Sequence, residues 1–366
     1  MNLARRNLFQ DKTRLALSVG GVALAVMLIL LLNGFLSGMY QQFSAYLDHA
    51  PGSVVVAQEG VSNLLGATSL LAAGTADSAR KVKGVSEIVP ILSQFIILDL
   101  HGKKQPAYLV GYDPAIGGGP WRLAEGREPK ADEEVVFDSV LARRHGMTLG
   151  DRFDIMGREF TVVGLSAGTT SWMTSFLFIR KTAAESLLRA PGATSFLLVS
   201  PSDGIALEEL RSRLDDLPGS EALLKHEMIT NDQKLFARYF SAPIRLMVGI
   251  AFLVGTLVVG LVIYTATVER QREYGVLKAI GARNGVLYRV VTTQALIVTS
   301  TGSIAGVGLA LSAARLIMTL RPQFLVAFEP TAVAWALAIG LAMALLAAFF
   351  PARVIAGLVP ADVFRR

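Results

Sequence analysis

The run Val268–Ala282, V-E-R-Q-R-E-Y-G-V-L-K-A-I-G-A, sets Arg, Glu and Lys ahead of an apolar Val276, Leu277 and Ile280 face, and it lies between two long apolar segments. Nothing in the run is a catalytic motif; a dense charged cluster that ends in an apolar face has the composition of a docking surface. Read as a helix, the run places Val276 and Ile280 four residues apart with Leu277 beside them, a small ridge whose preceding charges can pair with a partner's groove. Tyr274 and Leu277 are the expected anchors, and Gly281 supplies the stop. The plainer reading is a juxtamembrane helix whose basic residues only fix topology.

One stretch carries a catalytic pattern. Gly164-Leu165-Ser166-Ala167-Gly168 matches G-x-S-x-G, and Asp203 and His226 follow in the order of an α/β-hydrolase. The chemistry would be acyl transfer through an activated Ser166 hydroxyl. A nucleophile elbow requires a strand, a sharp turn and then a helix, whereas Gly168-Thr169-Thr170-Ser171 is a poor helix start and no doubly wound βα series surrounds it. The match is read as accidental, and no catalytic residue is assigned. His49, His101, His145 and His226 lack H-x-x-x-H or H-E-x-x-H spacing and there is no cysteine, so neither a metal site nor a disulfide is expected. No G-x-x-x-x-G-K-[ST] occurs in this sequence, so energy has to come from a partner or a gradient.

The elements that hold these residues follow from hydropathy. With 52% apolar and 17% charged residues, the chain has the bilayer as one of its solvents. Leu15–Leu36, Leu246–Ala266, Val290–Ala314 and Thr331–Phe350 carry no charge and are long enough to cross a core of ~30 Å at ~1.5 Å per residue. The first is longer than a signal-peptide core and reads as a retained anchor. Arg5, Arg6, Lys12 and Arg14 precede the first span, Arg270, Arg272, Lys278, Arg283 and Arg289 join the second and third, and Arg353, Arg365 and Arg366 follow the fourth, which predicts both termini in the cytoplasm. Residues 38–243 hold 20 Lys and Arg against 24 Asp and Glu, leaving 15 basic against 5 acidic elsewhere. The positive-inside rule accounts for that excess, and nucleic acid is not an expected partner.

The expected fold is an α-helical membrane protein with four transmembrane helices and a large α+β extracytoplasmic domain between helices 1 and 2. Its divisions are an amphipathic cytoplasmic segment 1–14, a span 15–37, the outer domain 38–243, a span 244–268, a cytoplasmic helix 269–285, a span 286–318, an outer loop 319–330, a span 331–350 and a cytoplasmic tail 351–366. Within the outer domain, strands are expected at Ser53–Gln58, Gln94–Leu100, Ala107–Tyr112, Glu134–Asp138, Arg152–Ile155, Glu159–Leu165, Phe176–Arg180 and Phe196–Ser200, with a helix at Ile205–Leu214. A hairpin turns at Met156-Gly157-Arg158.

Polar residues in or beside the spans come next. Asn33 and Gln294 read as interhelix hydrogen-bonding groups or substrate contacts. Met39, Tyr40 and Tyr46 read as an interfacial cluster or a ligand contact, and Gly302 and Gly306 stand in a G-x-x-x-G relation that favours close helix contact. Arg245, Arg315, Arg321 and Glu329 are expected to snorkel or pair at the outer interface.

The chain resembles permease subunits of the MacB/FtsX/LolC class of ABC transporters (type VII), in particular stand-alone permeases of the DevC/HrtB kind. The resemblance rests on R-N-L-F-Q-D-K-T-R-L before the first span, E-G-R-E-P through G-M-T-L-G-D-R-F-D-I-M-G-R-E-F-T-V-V-G in the outer domain, E-R-Q-R-E-Y-G-V-L-K-A-I-G-A after the second span, and F-P-A-R-V-I-A-G-L-V-P-A-D-V-F-R-R at the end. It implies that Glu269, Arg270, Arg272, Glu273, Tyr274, Leu277 and Lys278 form a coupling helix that sits on an ATPase. It also implies two copies of a separate cytoplasmic ATPase subunit, which would hold ATP and Mg; this chain itself needs no cofactor. A second permease copy, a homodimer by default, and a bacterial inner-membrane location follow in the same way, and a membrane-fusion or periplasmic partner is left open. The implied activity is ATP-driven mechanotransmission with efflux or extraction of an amphipathic lipid, lipoprotein, haem, drug or peptide. An FtsX-like device that activates a cell-wall enzyme and a gradient-driven carrier remain the alternatives.

Overall fold

The computed structural model describes residues 12–171 and 174–356. Two compact units emerge: one from the residues up to Gly38, Phe240–Arg321 and the residues from Val326, the other from Met39–Tyr239 with Pro322–Leu325. Helices α1 (Lys12–His49), α6 (Lys225–Glu269), α8 (Asn284–Leu320) and α9 (Pro330–Ala356) supply the four segments long and apolar enough to cross a membrane. Both α1 and α6 are longer than the apolar runs within them. Nothing in α1 after the span breaks helical geometry until Pro51, which disfavours helix in the residue before it. In α6 the helix runs through Pro243, the residue chosen from sequence as the end of the outer domain. A proline inside a helix costs one backbone hydrogen bond, and here it does not end the element.

The first unit is held by close helix approach, since water-driven burial is weak between helices in lipid. Val22, Val26 and Leu30 of α1 pack with Val259 and Ile263 of α6, Val291, Ala295 and Val298 of α8, and Ala344, Ala347 and Ala348 of α9. A Cβ at Gly302 would come 2.6 Å from Val22 Cβ, and one at Gly306 would come 2.7 Å from the Ala23 carbonyl oxygen. The G-x-x-x-G pair of α8 is therefore filled by α1 of the same chain. Leu246, Leu253, Leu257 and Leu261 of α6 stay exposed, a pattern suited to acyl chains as solvent.

The second unit is built on a ten-stranded mixed sheet of order β10-β1-β9-β2-β3-β8-β5-β7-β4, with β6 paired to β7. In chain order the strands are β1 (Val54–Gln58), β2 (Val85–Leu100), β3 (Lys103–Tyr112), β4 (Leu123–Gly126), β5 (Glu134–Asp138), β6 (Arg152–Ile155), β7 (Arg158–Ser166), β8 (Ser175–Arg180), β9 (Phe196–Pro201) and β10 (Ser220–Leu224). Short helices α2 (Thr75–Arg80), α3 (Ser139–His145), α4 (Lys181–Leu187) and α5 (Leu207–Asp215) lie between them. All eight strands expected from sequence are present. Strands β4 and β10 were not expected: L-A-E-G and S-E-A-L-L have weak strand propensity and form by pairing with β7 and β1. Helices α2, α3 and α4 are too short to show helical periodicity.

The β6–β7 hairpin turns on Met156 and Gly157, both at positive φ, and Arg158 already pairs with Ile155. The turn thus has two residues where three were expected, the geometry that matches strand twist. The E-G-R-E-P stretch also acquires a reason. Gly126 has φ 77°, and a Cβ there would meet the Val163 carbonyl oxygen at 2.3 Å. Beside it the Arg127 guanidinium forks onto Glu134, Nη1 to Oε2 at 2.7 Å and Nη2 to Oε1 at 2.5 Å, and the backbone N–H groups of Lys130 and Ala131 donate to the same carboxylate. The Arg127 contact above all holds the Glu134 pKa down to about 2.

Tyr46 is not part of an interfacial belt. It lies in a core with Phe176 and Phe178, its ring stacks on Phe176 at 5.6 Å, and its hydroxyl donates to the Gly118 carbonyl at 2.7 Å.

Candidate functional site

The charged run after the second span is not one helix. Glu269 is the last residue of α6, Arg270 departs from helical geometry at φ −102° and ψ 19°, and a separate helix α7 (Gln271–Ala279) follows. Its far end closes in a Schellman arrangement: Gly281, at φ 95°, donates to the Lys278 carbonyl at 3.0 Å, and Ala282 donates to Leu277 at 2.9 Å. Only glycine takes that backbone conformation without strain, so Gly281 turns the chain into α8.

The two faces of α7 differ sharply. Tyr274 is 1% exposed and packs in the core of the first unit with Leu287 and Val291, while Leu277 is half-buried against the same cluster. Both expected anchors therefore point inward, because a large aromatic ring gains most by joining the core its own chain provides. The outward stripe consists of Arg272, Glu273, Val276, Ala279 and Ile280, with Val276 44% and Ile280 76% exposed. This spacing is one helical face, charged toward its start and apolar toward its end. Lys278 is half-buried between the two faces.

Ion pairs tie the site to its surroundings. Arg14 of α1 donates to Glu269 Oε1 at 2.7 Å, and Arg270 lies 3.6 Å from Glu273. From sequence, Arg14 counted only as a topology-setting charge. Its pairing with the end of α6 was missed because no local pattern connects positions 255 apart in the chain.

The remaining candidates do not converge on α7. The Asn33 amide donates to the Ile29 carbonyl of its own helix at 3.0 Å, and Gln294 is buried on α8. In the second unit Met39 is buried, and Tyr40 meets Phe236 edge-to-face at 5.9 Å. Met39 therefore offers no surface to a ligand.

The G-x-S-x-G stretch is a structural joint. Ser166 ends β7 fully buried, and its hydroxyl lies 3.3 Å from the Phe137 carbonyl oxygen and 2.6 Å from Thr169 Oγ1. Thr169 and Thr170 donate to Asp138 Oδ2 at 2.7 and 2.6 Å, while Val140 N, Leu141 N and Ser175 Oγ reach Oδ1. Asp138 is thus the N-cap of α3 and the acceptor for the loop after β7. Asp203 and His226 are exposed, and no helix follows Ser166, so the elbow geometry is missing. Among the described residues, no group of three or more His, Cys, Asp or Glu is placed to hold a metal ion.

Two family matches cover most of the chain: the MacB-like periplasmic core domain over residues 15–217 and the FtsX-like permease C-terminal region over residues 245–360. An uncharacterized ABC transporter permease of Mycobacterium tuberculosis (strain ATCC 25618 / H37Rv) is 25% identical over 311 residues, 84% of this chain and 84% of that protein. The macrolide export ATP-binding/permease protein MacB of Sodalis glossinidius is 23% identical across 99% of this chain and 60% of its own length. The pyoverdine export ATP-binding/permease protein PvdT of Pseudomonas aeruginosa is 24% identical across 98% and 57%. The periplasmic region of MacB from Actinobacillus actinomycetemcomitans superposes with a TM-score of 0.38 at 17% identity, over 52% of this chain and 95% of that one.

Proposed function

Because the chain belongs to the family of ABC transporter permeases that join a MacB-like periplasmic core domain to an FtsX-like permease C-terminal region, we propose that it is a stand-alone inner-membrane permease driven through α7 by an ATPase on a partner subunit. The observation that carries this reading is the outward stripe of α7, with Val276 and Ile280 exposed next to Arg272 and Glu273. An apolar edge flanked by charge is the composition of a docking surface whose buried anchors supply energy and whose rim supplies register.

The inner face of α7 makes the docked helix a lever. Tyr274 sits in the core with residues of α1, α6, α8 and α9, and the Arg14–Glu269 pair links the start of α1 to the end of α6. A push on Val276 and Ile280 is delivered to the packed helices instead of being absorbed by a loose loop. Moving a two-state permease from 1:99 to 99:1 takes ~5.5 kcal/mol of differential binding, within reach of a few buried anchors. Glu269, Arg270, Arg272, Glu273 and Lys278 orient the contact, and both termini with α7 lie on the cytoplasmic side, where their basic residues belong.

The cargo is amphipathic and is exported or extracted, not passed through a polar pore. The spans carry no charge, whereas a hydrophilic path usually needs intramembrane ionisable groups. Two relatives are named for export of a macrolide and of pyoverdine and combine ATP-binding with permease functions, of which this chain spans 60% and 57%. ATP and Mg would be held by the partner, and two copies of the permease with two ATPases form the working assembly.

The test is the double substitution Val276→Asp with Ile280→Asp in complex with the ATPase. Loss of substrate export, with the permease still folded and inserted, is expected; export at the wild-type rate would remove the coupling assignment.

A further inference from the structure

The loop between β1 and α2 reads S-N-L-L-G-A-T over residues 62–68, small and polar apart from two leucines. Its first half is anchored. Leu64 is buried in a core with Tyr108 and Met228; its carbonyl accepts from the Tyr108 hydroxyl at 2.7 Å, and its N–H donates to Asp232 Oδ2 at 3.3 Å. Leu65 N donates to Asp232 Oδ1 at 3.2 Å, and the Asn231 amide donates to the Ser62 carbonyl at 3.2 Å. Gly66 then passes so near Leu235 that a Cβ would run into that side chain. Asn231, Asp232 and Leu235 lie on one side of α6, so the start of that helix grips the loop at successive points.

The second half is open. The backbone N–H and C=O groups of Gly66, Ala67 and Thr68, and the Thr68 hydroxyl, have no hydrogen-bond partner among the described residues. These three residues form part of the wall of a cavity of about 260 Å³, and Ser93 and Phe95 of β2 with Tyr108 of β3 form another part. Ser93 is 4% exposed; the Tyr108 hydroxyl, 2.9 Å from Ser93 Oγ, fills one hydrogen-bonding position of that hydroxyl and leaves the others open. Phe95 is paired in register with Tyr108, and it is 51% exposed, which leaves an aromatic face at the cavity. None of the eight lining residues is charged.

We propose that this cavity binds a neutral, hydroxylated ring of monosaccharide size. Sites for drug-sized molecules span ~300–1,000 Å³, and this one falls below that range. A charged ligand would shed its water here with no opposite charge to meet it. A wholly apolar ligand would strand the open N–H, C=O and hydroxyl groups. A sugar ring carries hydroxyls that both donate and accept, which suits the mixed set along Gly66–Thr68 and at Ser93, and its C–H faces rest on an aromatic ring such as Phe95. An occupant that bridges the loop to β2 would stiffen the segment that Asp232 holds, and α6 runs on from Asp232 as the second candidate span. The cavity lies wholly in the second unit, so its occupancy does not depend on the role of α7.

The test is saturation-transfer NMR on the full chain in lipid nanodiscs, with methyl glucoside, glucuronate, cyclohexanol and end-capped tetra-alanine as probes, each at up to about 10 mM. Methyl glucoside is expected to take up saturation, most strongly at its ring C–H protons, and the other three are not. Phe95→Ala and Thr68→Val should each weaken binding about two- to tenfold. Ile97→Ala, at an exposed position on the same strand outside the cavity, should leave it within about twofold. If Phe95→Ala loses its fold, Phe95→Leu replaces it, keeping bulk without the ring face, and should still weaken the sugar. Amide hydrogen exchange at Leu64 and Leu65 should slow when methyl glucoside is present. No transfer to methyl glucoside, equal transfer to any of the other three probes, unchanged binding in the Phe95 and Thr68 variants, or binding that leaves exchange at both leucines unaltered would each overturn the proposal.

Discussion

Two polar-rich regions of this molecule end in opposite conditions. Around Asp138, three hydroxyls and two backbone N–H groups converge on one fully buried carboxylate. Along α7, charged and apolar side chains share an exposed stripe while Tyr274 is locked inside. The first region has a hydrolase-like pattern in its sequence and is spent on holding the fold; the second has no catalytic pattern and presents a surface. A polar cluster points to function when the fold leaves part of it to meet something else, and a buried, fully hydrogen-bonded cluster has nothing left to offer.

The comparison breaks first at Asp138. Asp138→Ala strands the donors of Thr169, Thr170, Val140 and Leu141, and the full chain is expected to lose roughly 3–5 kcal/mol in denaturant unfolding, since each buried unpaired group costs ~1–3 kcal/mol. A loss below ~1 kcal/mol would mean that the joint is not structural. Tyr274→Ala is the next largest, expected to cost ~3 kcal/mol because an aromatic side chain leaves a packed core. Ile280→Ala, on the opposite face of the same helix, should stay within ~0.5 kcal/mol. Equal costs at the two positions would erase the inner and outer faces of α7.

Gly302→Val sharpens the account of the first unit. Its new Cβ would overlap Val22 on α1, so ~1–3 kcal/mol of overpacking is expected in thermal unfolding, without a change in oligomeric state. A change in oligomeric state at constant stability would move that contact to an interface between chains.

The Arg127–Glu134 clamp has a smaller expected effect than Asp138, Tyr274 or Gly302. With its folded pKa lowered to about 2 from an ordinary 4.5, Glu134 contributes stability that is present above the unfolded value and lost as pH falls through about 2. Glu134→Gln should therefore cost up to ~1 kcal/mol at neutral pH, with wild type and variant converging as pH approaches 2 in acid unfolding. A difference that stays constant across that range would assign the effect to packing.

Much of this was legible in the residues. Four uncharged runs gave the candidate spans, and alternation along Phe153–Ile155 and Phe160–Val162 gave the hairpin, because lipid-length hydropathy and period-two burial are local signals. What stayed hidden depended on distant parts of the chain. The break at Arg270 and the inward turn of Tyr274 need the α8 residues Leu287 and Val291 to be in place. Similarly, β10 is a strand only because β1 pairs with it, and Ser166 is a joint only because Asp138 lies beneath it. The apolar ridge of the run Val268–Ala282 was visible in sequence; which of its members face outward was not.

The chain contains no cysteine, so single cysteines report position cleanly. With Ile280→Cys and, separately, Tyr274→Cys, each in complex with the ATPase, a short thiol-reactive crosslinker is applied with and without ATP. The account predicts crosslinking to the ATPase from position 280, changing with nucleotide, and none from position 274. Crosslinking from 274 in place of 280, or labelling of 280 only from the side of the membrane opposite the ATPase, would contradict it.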